Sequence, residues 1–192
     1  KYYNSLLNIN SANVTYFDKK ILVPFGEFLP FRDSLTFLES IVGPNNYSKG
    51  KVERIINLSN EISFIPVICY EIVFYWKLLN TFNNKGNFIV NITNDFWFGN
   101  YLGPYQHFYL TKTRAAEFNK PIIRVSNNGI SAVIDNNGTV LIRTQFNKTE
   151  NFKYKLSFKE NNNFVYFHLI FKIYFFIIFI LNIFYYLRKN VQ

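Results

Sequence analysis

Phe64–Phe74 reads FIPVICYEIVF. It is an almost unbroken apolar run of the kind that forms a strand buried on both faces, as in a parallel sheet. Into this run the sequence sets Cys69, the only cysteine of 192 residues, and Glu71 two positions later. A carboxylate in such surroundings must find a partner or give up its charge. The cysteine has two readings there: a small, inert core residue, or a nucleophile.

Outward from this run, strand-like and helix-like pieces alternate. SLLNI and VTYF flank an Asn/Ser turn and predict a hairpin. FIPVICYEI predicts a buried strand, VFYWKLLNTF a short helix and NFIVNI a second buried strand. Pro104 opens PYQHFYLTKTRAAEFN, a helix expected to run to Asn119 with Pro in its first turn. PIIRVS, ISAVID and TVLIRT follow as strands, with Asn136-Asn137-Gly138 turning the chain between the last two. This mixture predicts a layered α/β domain over residues 1–160.

The remainder differs in kind. From Phe164 to Leu187 the chain runs 24 residues interrupted only by His168, Lys172 and Asn182. That exceeds the roughly 20 apolar residues that cross a bilayer. Lys172 can snorkel, and Tyr185 and Tyr186 sit where an aromatic belt belongs. A transmembrane helix is therefore expected over 164–187, joined to the domain by the polar stretch ENNNF (160–164). Arg188 and Lys189 place the tail 188–192 in the cytoplasm and the domain on the opposite side.

Composition narrows the function. The net charge of +9 comes from scattered lysines, whereas a nucleic-acid footprint needs a clustered patch. No nucleic-acid partner is expected, and attraction to an anionic membrane surface fits the charge better. Aromatics make up 20% of the chain, so no single Phe carries an argument. One cysteine excludes an intramolecular disulfide. One cysteine and two histidines make no zinc site, and no glycine-rich phosphate cradle appears; neither metal nor cofactor is expected. The chain has no methionine and opens KYYNSLL, so it is expected to begin inside a longer polypeptide.

A second stretch bears on the chemistry. FDKKILVPFGEFLPF (17–31) is punctuated by two prolines and a glycine, with Lys19 near one end and Glu27 beyond the middle. An ammonium near a thiol favours thiolate and can later donate to an oxyanion, while a carboxylate can move the proton. Cys69, a lysine and one or more glutamates would suffice for acyl transfer through a thioester.

Five segments occur in order: DKKILVPFGEFLPF, VICYEIVF, NITNDFWFG, GPYQHFYLTKTRAAEFNKPIIRVSNNGISAVIDNNG and the terminal apolar helix. Together they resemble the C-terminal part of the apolipoprotein N-acyltransferase family, membrane enzymes of the nitrilase superfamily. The resemblance implies a partial nitrilase-like α-β-β-α sandwich followed by one C-terminal transmembrane helix. It implies Cys69 as the nucleophile that takes an acyl chain as a thioester, and Lys19, rather than Lys20, as the group that holds the oxyanion. It makes Glu27 a second acidic residue near the nucleophile, has Tyr70 and Glu71 shape the pocket and its charge, and has Trp97 border the acyl site. The family's general base, a glutamate, is expected upstream of Lys1, so this stretch alone is expected to be inactive.

The implied partners are a phospholipid acyl donor, a diacylglyceryl apolipoprotein acceptor and the membrane. The implied location is the bacterial inner membrane with the catalytic domain periplasmic. Phe25, Phe28, Phe31, Phe96, Trp97 and Phe98 are candidates for a lipid-facing mouth. Two alternatives stand beside this reading: a membrane-tethered nitrilase-type amidase, and a non-catalytic remnant of such an enzyme. Elsewhere structural roles are expected. His107 should bond within the fold, Arg114, Glu117 and Arg124 should tie helix to sheet, and Trp76 should be core. Asn127, Asn128 and Gly129 should form a tight turn near the pocket.

Overall fold

The computed structural model describes residues 1–10, 13–39, 43–82, 86–157 and 164–189. The chain divides into two units, Lys1–Phe158 and Lys159–Gln192. Within the first, β1 (Ser5–Ile9) and β2 (Val14–Asp18) form the expected antiparallel hairpin, with Leu6 facing Phe17. The main sheet orders β3 (Ile56–Asn57), β4 (Ser63–Ile68), β5 (Phe88–Asn94), β6 (Ile122–Asn127), β7 (Ala132–Ile134) and β8 (Val140–Arg143) side by side. Its centre, β4–β5–β6, is parallel, and both flanks are antiparallel. Helices α1 (Tyr75–Phe82) and α2 (Leu102–Phe118) make the parallel crossovers.

The apolar runs read from sequence are the buried strands. Ile65, Val67, Ile89, Ile122 and Ile134 are wholly buried or nearly so. Leu6 and Phe17 of the hairpin join Ile56, Phe64, Ile68 and Phe88 in one cluster, so the hairpin is packed into the core of the sheet's edge. That packing brings Asp18 and the following lysines to the end of β4. The Asn136–Gly138 turn forms as expected, with Gly138 at φ 83° and the Asp135 carboxylate accepting from the amides of Asn137 and Thr139.

Three expectations are corrected. The strand over FIPVICYEI stops at Ile68, and Cys69–Val73 form a 3-10 turn. The reversal occurs because the backbone of Cys69 enters the left-handed region, φ 52°, while the Glu71 carboxylate turns back to accept the amide of Ile68. Trp76 is not core: it is 67% exposed, with its ring edge-on to Phe74. Arg114, Glu117 and Arg124 do not form one set. Arg114 pairs with Glu117 and donates to the carbonyls of Ile72 and Val73, whereas Arg124 turns to Asp95.

In the second unit, α3 (Phe164–Lys189) is one continuous helix, about 39 Å long at 1.5 Å per residue. Leu169–Arg188 is long and apolar enough to cross a membrane. Asn182 returns its amide to the Ile178 carbonyl, which lessens the cost of a polar side chain in lipid. The expected joint at 160–163 and the tail beyond Lys189 lie outside the described residues.

Phe17 tests how firmly the hairpin is tied to the sheet. It is fully buried, and the Arg54 guanidinium lies 4.6 Å from its ring centre. Phe17→Ala is expected to lower stability by about 3–5 kcal/mol, read as a shift in the denaturant midpoint at unchanged slope. A loss below about 1 kcal/mol would show the hairpin to be peripheral.

Candidate active site

β4 runs directly into the only cysteine of the chain, and the geometry there is unusual. Cys69 is a non-glycine residue at φ 52°. Backbones of this kind persist only where the surroundings hold them. Here the support comes from below: Asn91 donates to the carbonyls of Val67 and Cys69, at 3.1 and 3.4 Å. The thiol is half-buried and lines a cavity of about 760 Å³.

Lys19 and Glu27 line the same cavity. Their side chains form an ion pair, Nζ to Oε2 at 2.7 Å, with Lys19 only 1% exposed. Glu27 also accepts from the Asn4 side chain and from the Val23 amide. Both its oxygens are thereby engaged, which fixes the ammonium rather than freeing the carboxylate to carry protons. The V-P-F-G-E turn makes this possible. The Phe28 carbonyl accepts the amide of Phe25, and the Val23 carbonyl accepts that of Glu27. Lys20 contributes its backbone amide to Glu71 and does not line the cavity.

Of the other expected residues, Tyr70 and Trp97 line the cavity. Tyr70 packs among Phe74, Phe98 and His107, with ring centres 5.8–5.9 Å away. Trp97 is 78% exposed. Glu71 is different. It does not line the cavity but is completely buried and paired to Arg54, so its charge is matched within the fold rather than presented to the pocket. Burial raises its pKa, but the Arg54 bond and charge and the amides of Ile68 and Ile21 outweigh that and hold it below 4.5. Of the six mouth aromatics, Phe25, Trp97 and Phe98 line the cavity; Phe28, Phe31 and Phe96 do not. The turn at Asn127–Gly129 does not line it but stands next to it: Asn127 is the strand partner of Asn94, which does.

Two supporting groups escaped the sequence reading. One is Arg54. The other is Asp95, the aspartate of NITNDFWFG. Asp95 is fully buried; it receives Arg124 Nη2 at 2.6 Å and Ser126 Oγ at 2.8 Å, and pairs with His107 Nδ1 at 2.8 Å. Arg124 also donates to Asn91, the residue that holds the Cys69 carbonyl. Gly129 closes over this network so tightly that a Cβ there would lie 2.2 Å from Asp95 Oδ2. The signal available in the sequence was a buried-strand Asn and Arg with an Asp and a His nearby, all polar residues that need partners.

His107 itself is buried and outside the cavity lining, consistent with a structural role. Burial above all pulls its pKa below 6.5; the Asp95 bond opposes that shift and the Arg124 charge adds to it. Nδ1 faces Asp95, the Cys69 backbone is a further neighbour that raises the ring's pKa, and Nε2 makes no hydrogen bond of ordinary geometry among the described residues.

The direction fixes a pH dependence. Below 6.5 the unfolded chain binds a proton that the folded ring refuses, so stability falls as pH drops from 6.5 toward the folded value. The slope is at most about 1.4 kcal/mol per pH unit. His107→Gln is expected to flatten this segment of the stability–pH curve while leaving the later decline below pH 4.5, where Glu71 of the unfolded chain takes up a proton that the folded carboxylate refuses. A slope unchanged by His107→Gln just below pH 6.5 would contradict a neutral buried His107.

Comparison with known proteins follows the same lines. The family model "Carbon-nitrogen hydrolase" matches residues 1–157. The apolipoprotein N-acyltransferase of Allorhizobium ampelinum is 39% identical over 170 residues, 85% of this chain and 32% of that one. That of Rickettsia typhi is 37% identical over 142 residues, 74% of this chain and 28% of its own length. The chain thus spans about a third or less of these curated relatives. Among solved structures, a nitrilase-superfamily protein of Saccharomyces cerevisiae aligns with TM-score 0.54 at 17% identity, over 77% of this chain and 51% of that one. A carbon-nitrogen hydrolase from Helicobacter pylori G27 aligns with TM-score 0.55 at 12% identity, over 77% and 54%. At such identities the likeness is one of fold.

Proposed function

The chain belongs to the carbon-nitrogen hydrolase family, and from that membership we propose that it carries the thiol-bearing part of an apolipoprotein N-acyltransferase. The observation that carries the reading is the meeting of Cys69, on its positive-φ elbow, with the buried Lys19–Glu27 pair in one cavity. Relatives bearing that enzyme name share 37–39% of residues over most of this chain.

In the reaction, the Cys69 sulfur attacks the ester carbonyl of a phospholipid. The oxyanion that forms is neutralised by the Lys19 ammonium, which Glu27 holds in place. The ester C–O bond breaks, the leaving alkoxide takes up the proton given by the thiol, and a lysophospholipid departs. The α-amine of a diacylglyceryl-cysteine terminus then attacks the thioester carbonyl. The C–S bond breaks, the amide forms, and the amine's proton returns to the thiolate. The general base that manages these protons is assigned, by family resemblance, to a further glutamate.

Both substrates are lipids, and the molecule suits them. α3 is read as a membrane span with Arg188 and Lys189 on the cytoplasmic side, and the catalytic domain is read as periplasmic. Phe25 and Trp97, exposed at the cavity, give acyl chains an apolar approach.

The test uses the longest polypeptide that the reading frame encodes, reconstituted with phospholipid. Lysophospholipid release is expected from the unaltered protein and is expected to vanish in Cys69→Ala. Lys19→Met should reduce it by about 10²–10³-fold, as loss of one oxyanion donor does. Hydrolysis of small amides without lysophospholipid release would favour a tethered amidase instead. Near-normal release by Cys69→Ala would overturn the site.

A further inference from the structure

Arg54 belongs to none of the five segments that carry the family resemblance, and it does not line the cavity. It is nevertheless buried, 4% exposed, in a position that no chain fills with a cation unless the charge is matched. Its guanidinium forks onto Glu71, Nη1 to Oε2 and Nη2 to Oε1, both at 2.7 Å. Nη1 also donates to the Pro66 carbonyl in β4 at 2.8 Å, and the flat of the group rests on Phe17 in β2.

The carboxylate it grips has three further donors. Oε1 accepts the amides of Lys20 and Ile21, at 2.9 and 3.0 Å, and Oε2 accepts the amide of Ile68 at 2.8 Å. The first two amides belong to the residues directly after Lys19, and the third to the residue directly before Cys69. One carboxylate therefore fastens the backbone that bears the lysine to the backbone that bears the thiol. These segments are 50 residues apart in sequence, and the described hydrogen bonds show Glu71 as their shared acceptor.

Arg54 keeps this arrangement chemically possible. A neutral carboxyl would turn one of the oxygens into an O–H donor facing backbone N–H groups, and the fastening would open on one side. We propose that Arg54 is a positioning residue for acyl transfer: by forking onto the Glu71 carboxylate it sets Lys19 against Cys69. The inference rests on the thioester reading above, but it concerns geometry and not the identity of the acyl donor.

The test separates positioning from mere folding. Arg54→Lys keeps the charge and loses the fork; Arg54→Met loses both. Each is prepared in the longest encoded polypeptide, and Cys69 acylation is followed in a single turnover over a range of phospholipid concentrations, below each variant's melting temperature. The rate constant at saturating donor is expected to fall about 10- to 100-fold, the scale of a misplaced catalytic group. The half-saturating concentration and the final fraction of acylated Cys69 should stay near those of the unaltered protein. A reduced final fraction at an unchanged rate constant would make Arg54 a folding residue only and overturn the proposal. So would a change confined to half-saturation.

Should Arg54→Met fail to fold, Arg54→Lys alone decides. Should the unaltered protein take no acyl chain, the substrate reading has failed, and iodoacetamide decides the present inference. Its alkylation rate at Cys69 should then change about tenfold in Arg54→Lys; an unchanged rate overturns the proposal.

Discussion

Five hydrogen bonds converge on the Glu71 carboxylate: two from Arg54 and one each from the amides of Lys20, Ile21 and Ile68. At this convergence the backbone after Lys19 meets the backbone before Cys69. The convergence ends β4 at Ile68, turns the chain into the elbow at Cys69, and brings the hairpin's last strand to the sheet. A buried ion pair seldom adds much over an apolar substitute, yet removing one partner costs about 3–5 kcal/mol because the other charge is stranded. The pair is thus a constraint on arrangement more than a source of stability. It explains why a glutamate sits in an apolar run, the feature that first set Phe64–Phe74 apart.

A second buried network supports the elbow from beneath. Asp95 gathers Arg124, His107 and Ser126, and Arg124 passes the connection to Asn91, whose amide reaches the Cys69 carbonyl. The two networks approach the cysteine from different sides of the chain. One fixes the lysine relative to the strand; the other braces the backbone at φ 52°, which relaxation to an ordinary extended conformation would otherwise favour. The Cys69 thiol stands on a backbone held by both networks and lines the cavity of about 760 Å³.

Much of this was legible in the sequence, for reasons that can be named. The strands of the parallel centre announce themselves as apolar runs because both their faces are covered, and the hairpin and the Asn-Asn-Gly turn carry local signals. Cys69, Lys19 and Glu27 stood out through the motifs that resemble a known family. What stayed hidden depends on tertiary pairing. The apolar run continues through Cys69 and Ile72, so hydrophobicity gives no sign of the break that a single positive φ imposes. Arg54 lies in VERIIN, an unremarkable edge segment, and only folding shows that Glu71 is its partner. Arg124 could equally have paired with Glu117 on the neighbouring helix; the parallel register of β5 and β6 sends it to Asp95 instead. Trp76 was misplaced because a chain with 20% aromatics exposes many of them.

The central claim is that the Cys69 sulfur accepts an acyl group from lipid. Intact-mass spectrometry of the membrane-reconstituted polypeptide, after exposure to phospholipid of one defined chain length, addresses it most directly. The account predicts a mass increase equal to that one acyl group, mapped to the peptide containing Cys69 and removed by neutral hydroxylamine. An unmodified Cys69 in a protein that still acylates an apolipoprotein acceptor would contradict it.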